Sequence, residues 1–231
     1  PRLDGSFEEV GLPFGPRARL LLLHLCSEAV KNQSPIIEVE DSFTAFARSL
    51  GLATTGRNLK TLRDQVRRMS AVSMRLAKRT GDYVDVFQGP VFSKMRAEFP
   101  KDAPQLQLWP SFVEFSPDFY ESLRQHAVPL RREAVSALKH SARALDVYVW
   151  LAHRLWRIND SKPITIRWTT LRFQFGTREQ GIKSFKRAFK TALKQVLMVY
   201  PEAKVEVVKG GLYLKRSSPP VALRRPRRLL A

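Results

Sequence analysis

The stretch Thr177-Arg178-Glu179-Gln180-Gly181-Ile182-Lys183-Ser184-Phe185-Lys186-Arg187-Ala188-Phe189-Lys190-Thr191-Ala192-Leu193-Lys194-Gln195-Val196 decides the fold. Thr177 through Gln180 have the spacing of a capping box, which predicts a helix from there to about Val199. Counted at about 100° per residue from Ile182, the residues Ile182, Phe185, Phe189, Leu193 and Val196 fall within about 60° of one direction. They form the stripe expected to be buried. Lys183, Arg187, Lys190 and Lys194 fall together between about 80° and 140°, and Gln180 and Ser184 extend that face to about 200°. Glu179 is the only acid in the stretch.

Working outward, Thr169–Phe175 reads as a helix and Gly176 as a turn. Pro163–Arg167 reads as a strand. Ser141 to Arg157 is a long amphipathic helix carrying Leu145, Tyr148, Val149, Leu151, Ala152, Leu155 and Trp156. On the other side, Lys204–Val208 and Leu212–Lys215 form a hairpin around Lys209-Gly210-Gly211. The order is helix, strand, helix, turn, helix, hairpin, which is the order of a winged helix.

The first half repeats it. Gly15-Pro16 opens a helix to about Lys31, and Pro35–Val39 is a short strand. Asp41 is a suitable N-cap for a helix to Leu50, closed by Gly51. A third helix runs from about Arg57 to Met69 and carries Leu59, Leu62, Val66 and Met69 on its apolar side. Two strand-like runs follow, Ala71–Arg79 and Tyr83–Met95, joined at Thr80-Gly81-Asp82. Glu98 to Pro104 reads as a polar linker. Beyond it, Phe112–Phe115 is strand-like, Ser116-Pro117-Asp118 starts a helix to about Gln125, and Arg131–Leu138 is another short one. The expected fold is α+β and mostly helical, with two tandem winged-helix domains. The expected division is 1–98, a linker 99–108, 109–217, and a flexible basic tail 218–231 holding Arg224, Arg225, Arg227 and Arg228.

Composition says what partner such a fold would meet. Forty Lys+Arg stand against 21 Asp+Glu in 231 residues, a formal net charge of +19, while 44% of residues are hydrophobic. The chain can therefore build ordinary cores and still carry the surplus of a protein that neutralises phosphates. The most apolar run, Leu20 to Cys26, is broken by His24 and falls far short of a membrane span. No signal peptide is recognised, so a soluble, cytoplasmic protein is expected. The chain starts at Pro1 rather than Met, which leaves room for residues ahead of it.

Charge placement names the candidate contacts. In the second unit these are Arg178, Gln180, Lys183, Ser184, Arg187, Lys190 and Lys194, with Lys209 and Gly210 at the wing. Residues near the start of a helix lying in the major groove reach base edges, so Gln180 and Ser184 are candidate base readers. Arg187 suits guanine or phosphate, and Lys190 and Lys194 suit phosphate. A solvated lysine face is the competing explanation, but such faces usually mix signs. In the first unit Arg57, Lys60, Arg63 and Arg67 share one flank, relieved only by Asp64, and Arg75, Lys78 and Arg79 follow. That unit could instead serve mainly for dimerisation.

Catalytic chemistry is not expected. Cys26 is the only cysteine, which excludes an internal disulfide and a Cys-rich zinc site. His24 and Cys26 are two apart on a helix and do not face one another. His140 and His153 are too far apart to share a metal. There is no Gly-rich phosphate loop and no nucleophile–base pair, so neither an enzyme nor a cofactor is expected. Tyr120, Tyr148, Tyr200 and Tyr213 read as packing residues.

Several segments together resemble a known family. They are Leu12-Pro13-Phe14-Gly15-Pro16-Arg17-Ala18-Arg19-Leu20, Arg57-Asn58-Leu59-Lys60-Thr61-Leu62, Phe115-Ser116-Pro117-Asp118-Phe119-Tyr120, Pro129-Leu130 and Ala144-Leu145-Asp146-Val147-Tyr148-Val149-Trp150-Leu151-Ala152. Over roughly residues 10 to 217 the chain is similar to the RepA-type plasmid replication initiators, which bind repeated origin sequences (iterons) in bacteria. The resemblance implies tandem winged helices that bind double-stranded iterons as a monomer and often self-associate as a homodimer through the N-terminal unit. It also implies origin opening with host DnaA and recruitment of the host helicase. Separately, Gln105-Leu106-Gln107-Leu108-Trp109 is similar to the short motif by which bacterial proteins bind the sliding clamp; the alternative is packing at the domain junction. The rival functions are a transcription repressor of the same fold and an RNA-binding or scaffold protein.

Overall fold

The computed structural model describes residues 9–39, 42–80, 83–98, 109–160, 162–177 and 180–221. It is α+β and divides into two units, residues 1–127 and 128–231. Arg178, the tail residues 222–231, the Asp41 cap, the 99–108 linker and all of the clamp-like pentapeptide except Trp109 lie outside the described residues.

Unit 1 begins with α1 (Gly15–Asn32), β1 (Ile36–Glu38), α2 (Phe43–Ser49) and α3 (Gly56–Ser70). Gly15, at φ +73°, turns the chain into α1 where a β-carbon would be strained, and Pro16 fills the first turn. Gln33, in the left-handed region at φ 51°, ends the helix. Side-chain caps begin the next two helices. Ser42 Oγ accepts from the Ala45 N–H at 3.1 Å, and Thr55 Oγ1 accepts from the Asn58 N–H at 3.4 Å. The apolar faces of these helices enclose Leu21, Leu25, Phe46 and Leu62, together with Ile37 from β1.

The β-structure of unit 1 departs from expectation. The second strand-like run is broken at Val91 into β3 (Tyr83–Pro90) and β4 (Phe92–Glu98). β2 (Ser73–Thr80) pairs only with β3, as an antiparallel ribbon of two eight-residue strands. β1 instead pairs with β5 (Trp109–Phe115), which pairs in turn with β4, in the order β1-β5-β4. α4 (Pro117–His126) then lays Phe119, Tyr120 and Leu123 on the same core. The domain division 1–98, 99–108, 109–217 is therefore corrected. The strands on either side of 99–108 are partners, Glu98 opposite Trp109, and both belong to unit 1. The cause is burial. Val113 and Phe115 of β5 are 3% and 1% exposed, and Phe115 stacks on Phe92 at 5.1 Å. These side chains complete the first core.

Unit 2 comprises α5 (Arg132–Leu138), α6 (Ala142–Arg154) with a 3-10 turn at Leu155–Arg157, β6 (Ile164–Arg167), α7 (Trp168–Phe175), α8 (Ile182–Val199), β7 (Val205–Val208) and β8 (Gly211–Leu214). Leu145, Tyr148, Leu151, Phe185, Phe189, Val196, Leu212 and Leu214 are fully buried. Here the strand ahead of the helix pair does join the hairpin that follows it, in the order β6-β8-β7. Gly211 makes that possible: a β-carbon there would lie 1.9 Å from the Ile166 carbonyl oxygen.

Two further expectations for unit 2 are corrected. α8 starts at Ile182 with Gly181 as its N-cap, not at the Thr177 capping box. A glycine in a first turn weakens a helix by about 1 kcal/mol, so the helix forms beyond Gly181 and the Gln180 N–H closes a tight turn on the Thr177 carbonyl at 3.2 Å instead. The start of the supposed flexible tail is also tied down. Tyr200 Oη donates to the Ser218 carbonyl at 2.6 Å, Arg131 Nε donates to the Pro220 carbonyl, and a second guanidinium nitrogen of Arg131 pairs with Glu202. Tyr148 and Tyr200 are thus packing residues with polar duties: the Tyr148 hydroxyl accepts the Arg131 backbone N–H at 3.1 Å.

Candidate nucleic-acid interface

α8 owes its charge distribution to its burial pattern. Phe185, Phe189, Ala192, Leu193 and Val196 are buried, which turns Lys183, Ser184, Arg187, Lys190, Thr191 and Lys194 outward, all of them exposed. The helical count therefore placed the row correctly. α8 contains no acidic residue, and among the described residues no ion pair engages any of its cations. Lys186 and Lys190 flank the Trp168 ring, each with Nζ 5.7 Å from its centre, so part of the row stands on an aromatic platform.

The start of α8 adds to this field. Gly181 has φ −63° and ψ 148°, an ordinary capping conformation, but it offers no side-chain oxygen and no acid occupies the first turn. Among the described residues, the leading N–H groups and the positive end of the helix dipole have no side-chain counterpart. Lys209 and Gly210 form the exposed two-residue tip of the β7–β8 hairpin, with Val208 opposite Gly211. Gln180 is not on the helix. It lies half-buried just ahead of it, where Arg143 Nη2 donates to its Oε1 at 3.4 Å. Arg143 escaped the sequence reading because it lies on α6, 37 positions away, where no periodicity links it to α8.

α3 carries Arg57, Lys60, Arg63 and Arg67 exposed, as expected, but its row is more engaged. The Arg63 guanidinium lies 5.0 Å from the Phe43 ring centre. Asp64 pairs with Arg68 at 2.7 Å and approaches Arg67 at 3.8 Å. Asp64 also accepts from Gln65 Nε2 at 2.9 Å, while Gln65 Oε1 accepts the Phe14 N–H at 2.8 Å. Arg68 lies over Phe14 at 5.1 Å, so the segment leading into α1 is strapped to this helix.

The single cysteine is built into packing. Burial pushes the Cys26 thiol up to about 12, which removes its thiolate chemistry. Among the described residues no His, Cys, Asp and Glu gather as a metal site, and no helix is long and apolar enough to cross a membrane.

A comparison with curated proteins gave no match. The family model of plasmid-encoded RepA proteins matches residues 12–170, well over half of the chain. The matched span takes in α1 through α6, β6 and the first residues of α7, and stops short of α8 and its hairpin. This chain belongs to the family of plasmid-encoded RepA proteins and is thus a protein of plasmid replication.

Proposed function

We propose that this protein is an initiator that binds repeated double-stranded origin sequences, with each unit acting as a winged helix and α8 as the main element entering the major groove. One observation carries the reading: an 18-residue helix buries one side and turns Lys183, Arg187, Lys190 and Lys194 outward with no acid of its own to offset them. A major groove admits such a helix, and a row of cations along it neutralises phosphates on entry. The protein acts by binding rather than catalysis. Lys190 and Lys194, further along the helix, contribute backbone contacts, and Gln180, Ser184 and Arg187, near its start, read bases. Lys209 and Gly210 rest on the flanking backbone or minor groove. Work with host DnaA and helicase belongs to the same proposal and is supported by family membership.

The test is a titration of labelled duplex DNA across salt concentrations. If about eight phosphates are neutralised, log affinity falls with a slope near −7 against log salt. Indifference to salt, or equal preference for structured RNA at the same ionic strength, would overturn the assignment.

A further inference from the structure

Gln180, just ahead of α8, is held by a charged group on α6. Arg143 is the second residue of α6, a helix locked in place by Ala144, Leu145 and Val147, all fully buried. Its guanidinium donates to Gln180 Oε1 at 3.4 Å, a long hydrogen bond, and both residues are half-buried. The backbone of Gln180 is fixed on both sides. Its N–H is held by the Thr177 carbonyl at 3.2 Å, and the next residue, Gly181, accepts the first helical bond from Phe185 at 2.9 Å. The main chain is held on both sides and the carbonyl end of the amide faces Arg143.

We infer that Arg143 is a positioning residue that sets what Gln180 can read. A glutamine that reads adenine uses both ends of its amide: the oxygen accepts from N6 and the nitrogen donates to N7. Arg143 takes one lone pair of Oε1 and sets a cation beside the other, which disfavours a second donor such as adenine N6, so the NH2 group is the end better suited to face a base. A pure donor fits a base edge that presents acceptors alone. In the major groove guanine offers two such acceptors side by side, N7 and O6, against the single O4 of thymine. The wild-type amide thus selects guanine over adenine at one position of the site, although its side chain is the type that ordinarily pairs with adenine. Arg143 touches no base in this arrangement; it acts through Gln180.

This inference rests on the proposed DNA-binding role, and one experiment separates the two. The full chain is used to select from a pool of duplexes randomised over the site, in parallel with Arg143→Met, Arg143→Lys, Gln180→Ala and the double variant Arg143→Met/Gln180→Ala. Thermal melts check that each variant folds. The expected result is a single position that is guanine for wild type and shifts toward adenine by about five-fold or more in Arg143→Met. The same position loses its preference in Gln180→Ala, and the double variant matches Gln180→Ala there. Arg143→Lys keeps the charge without the fork, and is expected to retain part of the guanine preference. Affinity for random duplex stays within about two-fold in all four, because the phosphate contacts on α8 are intact. If Arg143→Met leaves every position as in wild type while Gln180→Ala changes one, the positioning role is overturned and DNA recognition by Gln180 stands. If Arg143→Met weakens specific and random DNA alike, Arg143 is a phosphate contact and the inference fails. Failure of the wild-type chain to enrich any duplex sinks the DNA reading and the inference with it.

Discussion

The two units share an order of elements and differ in how they close. In unit 2 the strand before the helix pair, β6, takes β8 from the hairpin that follows α8. In unit 1 the equivalent strand, β1, takes β5 from beyond the ribbon, and β2–β3 remains a two-stranded arm. Order is set locally, by caps, glycines and apolar periodicity. Closure is set by which strand can bring apolar side chains to the core and approach without collision. A second difference lies in the charge. α8 holds its cations with no acid of its own, whereas α3 spends Asp64 on Arg68 and leans Arg63 on Phe43. Similar rows of four basic residues therefore differ in what they can offer a phosphate.

The largest expected effect tests that second difference. Replacing Lys183, Arg187, Lys190 and Lys194 together by Ala should flatten the salt slope by about 3.6 and weaken duplex binding by about three to four decades at 0.1 M salt. The matching replacement of Arg57, Lys60, Arg63 and Arg67 should flatten it by less than about 2. Titrations of both variants at several salt concentrations decide the matter. Equal slopes would mean that α3 meets DNA as fully as α8 does and that its internal contacts are given up on binding.

The closure of unit 2 is tested at Gly211. Changing it to Val puts a branched side chain where even a β-carbon lies 1.9 Å from the Ile166 carbonyl oxygen. β6 and β8 must separate, and the expected cost is about 3 kcal/mol in denaturant unfolding. The ribbon of unit 1 has no third strand to lose among the described residues. A unit 2 that melts unchanged with Val at this position would show that β6–β8 pairing contributes little to it.

Much of this was legible in the sequence because it is local. The stripe Phe185, Phe189, Leu193, Val196 and the opposing row on α8 follow from a helical period and nothing else. The same holds for α3 and for α6, expected as a long amphipathic helix from Ser141. What failed was not local. The β5 strand looked like the start of a second domain because its partner β1 lies more than 70 residues earlier, and only the filled core shows why Val113 and Phe115 belong there. The capping-box pattern at Thr177 was real as a pattern. The same residues serve a tight turn, and Gly181 inside the first turn tips the choice. The hold of Arg143 on Gln180 had no sequence signal, since a contact between a helix and a turn 37 positions away leaves no period.

Acid separates the units in another way. Glu202 of unit 2 has its carboxyl held below the usual range, first by hydrogen bonding to its own backbone N–H and then by Arg131. A depressed carboxylate contributes stability above its unfolded value near 4.5, and that contribution fades as pH falls through the folded value. Unit 2 should therefore lose stability below about pH 4.5, and Glu202→Gln should remove this part of the dependence while lowering stability at neutral pH. Three of the four tryptophans, Trp150, Trp156 and Trp168, lie in unit 2, so with Trp109 of unit 1 replaced by Phe in both proteins tryptophan emission follows unit 2 selectively. An acid transition that is the same with and without the carboxylate would show that Arg131 holds the chain end without it.

The smallest change tests the start of α8, where the stability of the helix and its use pull apart. Gly181 has room: among the described residues, its chain neighbours aside, no atom lies within 4 Å of an added β-carbon, and its backbone already has a capping conformation. Gly181→Asp supplies the missing side-chain acceptor and an anion at the positive end of the helix. It should raise stability by a few tenths of a kcal/mol. On a helix with a merely solvated lysine face, that gain would be the whole effect. On a helix whose start enters a groove, the same carboxylate faces phosphates and should weaken duplex binding by roughly ten-fold at low salt, an effect that shrinks as salt screens it. Gly181→Ser carries the cap without the charge and should keep both the stability and the binding. Asp and Ser variants that bind duplex equally well would place the DNA away from the start of α8, and base reading by Gln180 and Ser184 would go with it.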